Sequence, residues 1–197
     1  MNLRHCFSEL LGTFLLAFLV HLSIGAHFPV PTPIIAGLTL GLIVYMLGGI
    51  SGAHVNPAVT IALASINKIS WKEAGFYVLF QLIGGGLALF FGKGLLGTSL
   101  TITAGTSMPI LAAEAIGAAI LVLAVSSVVY GKAPHDASGL TIGTALALGA
   151  LAASVQSNGV LNPAVALGIG SLSLAYVLGP IIGGIIAAQV YRALVSE

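Results

Sequence analysis

The sequence predicts an all-α membrane protein in which six transmembrane helices and two re-entrant half-helices form an inverted repeat. Three observations support this prediction: the composition, the lengths of the apolar stretches and an internal repeat. Of the 197 residues, 58% are apolar and only 6% are charged, and the mean hydropathy is +1.12. Soluble domains carry about 25% charged residues, so this chain has too little polar surface to fold in water.

Six apolar stretches are long enough to cross roughly 30 Å of hydrocarbon, which takes about 20 helical residues. They are 6–24, 33–50, 74–96, 109–130, 139–156 and 173–194. The first stretch has some features of a secretory signal peptide, but five more spans follow and no A-x-A-like site ends it. Two shorter apolar stretches, 56–65 and 162–171, cannot cross the membrane and are predicted half-helices.

The basic residues indicate the orientation. A cytoplasmic N-terminus places only Lys93 outside and puts five basic residues inside: Arg4, Lys68, Lys72, Lys132 and Arg192. This positive-inside bias predicts that both termini are cytoplasmic. The compact loops and the lack of a targeting segment favour a prokaryotic inner (plasma) membrane.

The internal repeat appears on aligning the two halves of the chain. "YVLFQLIGGG" from Tyr77 and "YVLGPIIGGI" from Tyr176 are identical at six of ten positions, and Glu9 aligns with Glu114. We therefore expect one domain, 1–197, built of repeats at about 1–98 and 104–197. Each repeat reads helix, helix, half-helix, helix. An odd number of crossings inverts the second repeat, so the half-helices enter from opposite faces and meet near the midplane.

Each half-helix begins with the same motif. The two copies lie 106 residues apart and comprise Asn56, Pro57 and Ala58, and Asn162, Pro163 and Ala164. Asparagine is a favoured N-cap, and proline is tolerated in the first helical turn. Each helix end would expose unpaired N–H groups and about half a positive charge, which attract the oxygen of a neutral solute and repel cations.

The segments just before these motifs are predicted to be irregular. Non-helical backbone at membrane depth must be buried in protein or line a watery cavity. We therefore expect backbone carbonyls along a pore from two short stretches: Gly52, Ala53 and His54, and Ser157 and Asn158.

With "ELLGTFLLAF", "SGAHVNPAVT", "YVLFQLIGGG" and "GPIIGGIIAA", the duplicated Asn-Pro-Ala motif resembles the aquaporin, or major intrinsic protein, family. The resemblance covers essentially the whole chain. It implies a six-helix bundle with one pore per chain, surrounded by membrane lipid and commonly assembled as a homotetramer. The predicted function is a passive transmembrane channel for water and small neutral solutes.

One position departs from the family pattern. The family usually places arginine after the second motif, where this chain has Val165, and the resemblance assigns the other selectivity-filter positions to Ala36, Ala150 and Gly159. All four are small or apolar, which predicts a wider and less polar outer filter unless another group, such as His21, fills it. A channel mainly for glycerol, urea, ammonia or a gas is therefore an alternative, as is a poorly conducting structural protein of the same fold.

Glu9 and Glu114 lie within apolar spans, where a charge costs about 2.5–3.5 kcal/mol on the mildest scale. One hypothesis is a proton relay. The other is a scaffold in which each carboxylate binds the loop leading into a half-helix, with Gln81 in a supporting role. Their matching positions and the family resemblance favour the scaffold.

Other functions lack the residues they need. The single cysteine, Cys6, excludes an internal disulfide, and the sequence has no CxxC or HExxH pattern. We expect no enzymatic activity, catalytic residue, metal, cofactor or nucleic-acid partner. His135 and Asp136 suggest gating by protonation, but a solvated turn is the favoured interpretation.

Overall fold

The structure is a computed structural model that describes residues 2–100 and 102–196. Within these residues the secondary structure is helical, and the 3-10 turn His135–Ala137 leads into α6. The helices are α1 (Leu3–Gly25), α2 (Thr32–Ser51), α3 (Pro57–Ser65), α4 (Trp71–Leu96), α5 (Met108–Val129), α6 (Ser138–Ala153), α7 (Pro163–Gly168) and α8 (Leu174–Val195).

The predicted architecture is confirmed. Within the described residues, six helices are long and apolar enough to cross a membrane, α6 together with the 3-10 turn before it (His135–Ala153), and α3 and α7 are the two short ones. Four helix boundaries differ clearly from the predicted ones. Helix α1 begins at Leu3 and not at residue 6. Helix α4 begins three residues earlier than predicted because Ser70 Oγ accepts the Glu73 N–H at 3.2 Å as an N-cap. Helix α6 ends at Ala153, and α7 ends at Gly168, ahead of Gly170, whose φ of 73° does not continue a helix.

The pairing of helices shows the inverted repeat. Helix α1 packs against α2 and α4, as α5 packs against α6 and α8. Each half-helix packs against the last span of the other repeat, α3 against α8 and α7 against α4, and the two half-helices contact each other. This exchange brings both motifs to the middle of the bundle.

Glycines let the spans approach until their backbones touch, as is common in membrane helices. Between α2 and α6, a Cβ placed on Gly41 would lie 2.9 Å from the carbonyl oxygen of Gly139, and one on Gly139 would lie 2.5 Å from that of Gly41. A Cβ on Gly84 of α4 would lie 2.5 Å from the Leu10 carbonyl of α1. Large apolar side chains such as Leu38 and Phe90 are exposed on the outside, which suits a lipid environment.

Candidate functional site

The two asparagines cap the half-helices. Asn56 Oδ1 accepts the Ala58 N–H at 2.8 Å, and Asn162 Oδ1 accepts the N–H groups of Ala164 at 3.0 Å and Val165 at 3.3 Å. A proline follows each asparagine at the first helical position. The local sequence therefore sets where each helix begins, and both asparagines line the central cavity.

Their side-chain amides also cross between the repeats. Asn56 Nδ2 donates to the Leu161 carbonyl at 3.0 Å, and Asn162 Nδ2 donates to the Val55 carbonyl at 2.9 Å. An amide nitrogen carries two hydrogens. Each asparagine thus ties its half-helix to the opposite loop and keeps one N–H for a solute.

The loops before the motifs have the same backbone twist. Positive φ angles occur at Ala53 (49°) and Val55 (43°), and 106 residues later at Gly159 (63°) and Leu161 (57°). This region costs a non-glycine residue about 1–3 kcal/mol and persists only where the surroundings hold it. Two buried carboxylates, Glu9 and Glu114, bind these loops and keep the backbone in this conformation.

Glu9 accepts four hydrogen bonds. Its Oε1 binds the Ser51 hydroxyl at 2.6 Å and the His54 N–H at 3.0 Å, and its Oε2 binds the Val55 N–H and Gln81 Nε2, both at 2.7 Å. An ionised carboxylate is an acceptor only, which matches a set consisting entirely of donors. This arrangement favours the scaffold hypothesis over the proton relay.

Glu114 does the same in the second repeat with one bond fewer. Its Oε1 accepts the Ser157 hydroxyl at 2.8 Å and the Val160 N–H at 3.0 Å, and its Oε2 accepts the Leu161 N–H at 2.6 Å. The missing fourth donor corresponds to Gln81, whose counterpart is Pro180. A buried carboxylate therefore holds the loop before each motif, with four hydrogen bonds in the first repeat and three in the second.

His54 lies beside the first carboxylate and lines the cavity. Its Nδ1 lies 3.2 Å from the Thr60 hydroxyl, and its ring meets the Tyr77 ring edge-on, with the centroids 5.2 Å apart. Gln81 Nε2 donates to Thr60 at 2.9 Å as well as to Glu9. The ring is thus fixed in the bundle, while the backbone of its loop follows the cavity.

A cavity of about 1110 Å³ runs through the bundle. Its lining includes Thr32 and Gly52, at opposite ends of α2, so it extends over about 30 Å at 1.5 Å per residue.

Three of the four residues assigned to the outer filter line this cavity: Ala36, Gly159 and Val165. Ala150 is 1% exposed and lies outside the lining. Its carbonyl accepts the Ser154 hydroxyl at 2.7 Å, and Ser154 lines the cavity in its place. The placement of Ala150 differs from the expectation because Gly159, in the loop before α7, packs directly on it: a Cβ on Gly159 would collide with the Ala150 carbonyl oxygen.

Sequence reasoning missed part of the outer lining. Ile102 and Thr103, from the connection between α4 and α5, face the cavity. The Thr103 carbonyl accepts Asn158 Nδ2 at 3.2 Å, which ties this connection to the loop before α7. The segment has no periodic pattern, so nothing in its sequence indicates which side chains face inward.

His21 does not fill the filter. It is fully buried outside the cavity lining, and its Nδ1 donates to the Gly168 carbonyl at 2.9 Å. The cavity-facing stripe of α1 is Leu16, Val20 and Ile24. His21 lies about 100° around the helix from Val20, which turns its ring toward α4 and α7.

His135 and Asp136 border the cavity at its other end. Their side chains are fully exposed, with the His135 Nδ1 and Asp136 Oδ1 atoms 3.8 Å apart, a geometry worth little in water. Tyr45 fastens this turn, because its hydroxyl donates to the Asp136 carbonyl at 3.2 Å and accepts the Leu140 N–H at 3.1 Å. Neither here nor in the rest of the described chain do three metal-ligating side chains come together.

A membrane-spanning bundle with a through-running cavity, and with two capped helix ends at its middle, defines a transmembrane channel. The chain belongs to the major intrinsic protein family, whose family model matches residues 1–191.

Individual relatives agree with this assignment. The chain is 33% identical over 215 residues to the probable aquaporin NIP7-1 of Arabidopsis thaliana, covering 98% of this chain and 77% of the relative. It is 30% identical over 241 residues to aquaporin AqpM of Methanothermobacter marburgensis, covering 98% of each chain.

The fold also matches a solved structure. The X-ray structure of the aquaglyceroporin from Plasmodium falciparum superposes with a TM-score of 0.78 at 22% identity, covering 100% of this chain and 98% of that one. Sequence and fold together identify an integral multi-pass membrane channel for water or small solutes.

Proposed function

We propose that the protein is a passive channel for water and small neutral solutes with a widened, apolar outer half. The observation that carries this proposal is the through-running cavity with Asn56 and Asn162 at its middle. Each asparagine offers an N–H, and each half-helix directs its positive end to the same place. A neutral solute gains hydrogen bonds there, whereas a cation meets unfavourable charge.

The backbone on either side complements these donors. The left-handed residues turn the loops before both motifs so that irregular backbone follows the cavity and can offer carbonyl oxygens as acceptors. A solute hydroxyl or a water then has acceptors along the passage and donors at its centre. This order favours molecules that both donate and accept hydrogen bonds.

The outer half is the unusual part. Ala36, Val165 and Ile169 present alkyl groups, and none supplies the charge that the family usually has there. A polar solute stripped of water in an apolar constriction loses several kcal/mol. Small and apolar side chains here leave more room than an arginine would, which supports passage of partly hydrated solutes and a broadened selectivity.

The same apolar lining favours a second candidate, a channel mainly for a solute other than water, such as glycerol, urea, ammonia or a gas. A poorly conducting structural protein of this fold is the outcome that would contradict both.

Three further features belong to the proposal: assembly as a homotetramer, cytoplasmic termini and residence in a prokaryotic inner membrane. The last is supported by the similarity to the archaeal relative along 98% of both chains. We also propose that the repeats span about 1–98 and 104–197, which the matching helix pairings support. The proposed filter consists of Ala36, Gly159 and Val165, because these residues line the cavity.

Purified protein in liposomes tests the function. Stopped-flow light scattering would measure water efflux and the uptake of glycerol, urea and ammonia, and an enclosed pH-sensitive dye would report proton leak. We expect water and at least one larger neutral solute to move faster than in empty liposomes, with no added proton leak. Transport of every solute at the rate of empty liposomes would overturn the proposal.

A further inference from the structure

The two half-helices end inside the bundle, where their last carbonyls need partners. In α7, three of these carbonyls are paired by the chain that follows: Val165 O by the Ile169 N–H at 2.9 Å, Ala166 O by the Ser171 N–H at 2.8 Å and Leu167 O by the Gly170 N–H at 3.1 Å. The fourth carbonyl, that of Gly168, accepts His21 Nδ1 at 2.9 Å. A side chain of α1 thus completes the end of α7.

Helix α3 has a similar arrangement with a different partner. The Leu63 and Ala64 carbonyls accept the backbone N–H groups of Lys68 and Asn67, and the Ser65 carbonyl accepts Gln189 Nε2 from α8 at 2.9 Å. Gln189 is exposed, so water can replace it, whereas His21 is 0% exposed and no water reaches its bond. Of these two caps, only the one on α7 depends on a specific buried side chain.

The surroundings of His21 are shaped to hold its ring. Gly92 of α4 leaves the space, because a Cβ there would lie 2.5 Å from His21 Cδ2. A Cβ on Gly168 would lie 2.7 Å from the Ala17 Cβ, which shows how closely α1 and α7 approach. Donation to a carbonyl requires a hydrogen on Nδ1, so this contact places one there.

Helix α7 has only six residues, and Gly168 lies one turn after Val165, which faces the outer cavity. We infer that His21 is a positioning residue for channel selectivity: its bond to Gly168 anchors α7 and thereby fixes the position of Val165 and the width of the outer cavity. This inference rests on the proposed channel function, because its consequence is a change in which solutes pass.

A matched pair of variants isolates the hydrogen bond. The Asn side-chain nitrogen occupies nearly the same position as His Nδ1, so His21→Asn keeps the donor, whereas His21→Leu has nearly the shape of Asn and no donor. With flux per folded channel measured in liposomes, we expect His21→Leu to raise the glycerol-to-water permeability ratio several-fold. His21→Asn should retain the wild-type ratio.

Two other variants complete the set. Gly92→Ala places a methyl group in the space of the ring and should raise the ratio as His21→Leu does. Gln189→Leu removes the replaceable cap on α3 and should leave the ratio unchanged. An unchanged ratio in His21→Leu, or an equal rise in His21→Asn, would overturn the inference.

A second measurement does not depend on transport. Hydrogen exchange followed by mass spectrometry should show faster exchange of the Ile169 and Ser171 amides in His21→Leu, with wild-type protection in His21→Asn. If the wild type conducted nothing, the proposed function would fail. The exchange data would still show whether His21 anchors α7, and unaltered protection in His21→Leu would reject the anchor itself.

Discussion

The side-chain amide of Asn56 donates to the backbone carbonyl of Leu161, 105 residues away, and Asn162 returns the same bond to Val55. These two contacts join the halves of the chain at the centre of the cavity. They also restrict each amide to one free N–H, which limits how many solute atoms the centre can bind at once. Several consequences of this arrangement can be measured.

Replacing Val165 by arginine should narrow the outer cavity. The longer side chain adds five donors and a fixed charge where the lining is now alkyl. We expect glycerol permeability to fall by about tenfold or more, a barrier of about 1.4 kcal/mol, while water flux changes much less. Val165→Leu serves as the size control; equal glycerol fluxes in wild type and Val165→Arg would show that Val165 is not part of the filter.

Proton exclusion should depend on the central asparagines. Asn162→Asp places a negative charge at the two helix ends and removes the donor to Val55. Because a unit charge in a poorly solvated site offsets the positive ends of both half-helices, we expect proton leak in the dye assay to rise by roughly tenfold or more. Asn158→Asp, at an exposed position of the outer mouth, is the control, and the same leak in both variants would contradict the central role.

The two buried carboxylates should differ in importance. Glu9→Gln weakens four charge-assisted hydrogen bonds, whereas Glu114→Gln weakens three. Each variant also strands one backbone N–H, at about 1–3 kcal/mol, because the Gln81 amide and the serine hydroxyls can reorient to accept, so Glu9→Gln should lower the thermal unfolding midpoint in detergent more than Glu114→Gln.

The exposed carboxylate Glu73, 41% exposed, is the control, since Glu73→Gln removes only a surface contact with His5. A proton relay makes the opposite prediction. Under that hypothesis Glu9→Gln would change proton flux and leave the unfolding midpoint at its wild-type value.

The close contact between α5 and α8 requires a glycine at position 183. A Cβ on Gly183 of α8 would collide with the Ala115 carbonyl of α5, whereas a Cβ on Gly86 meets nothing within 4 Å. Gly183→Ala should destabilise the fold by several kcal/mol, because backbone must move apart. Gly86→Ala should be neutral or stabilising by up to about 1 kcal/mol, and similar unfolding midpoints for the two variants would refute the contact.

Patterns of length and repetition were enough to predict the fold. Six spans of sufficient length, two short stretches and the alignment of Glu9 with Glu114 predicted the number of helices, the half-helices and the inverted repeat. These features depend on hydrophobic thickness and on local capping chemistry, which are legible in sequence. The structure adds the four donors of Glu9, which come from α2, α4 and the loop before α3.

The direction in which side chains point was less predictable. His21 was a candidate for the outer filter but packs behind α7, and Ser154 lines the cavity where Ala150 was expected. One residue corresponds to about 100° of helix rotation, so a residue next to the cavity-facing stripe of a helix can point away from the cavity, and the sequence does not show which neighbouring helix it meets. In connections without a periodic pattern, such as the one that contains Ile102, the sequence does not indicate which side chains face the cavity.

The glycine contacts between α2 and α6 have a consequence for redesign. Gly41 and Gly139 bring these two spans together backbone to backbone, so no side chain at this seam can be enlarged or trimmed to change the bore. Adjustable positions lie instead on the inward faces of the same helices, at Ala36, Leu40 and Leu146. Along α2 and α6, the residues that hold the helices together are therefore distinct from those that face the cavity, so cavity-facing substitutions there can change the aperture and leave this helix contact intact.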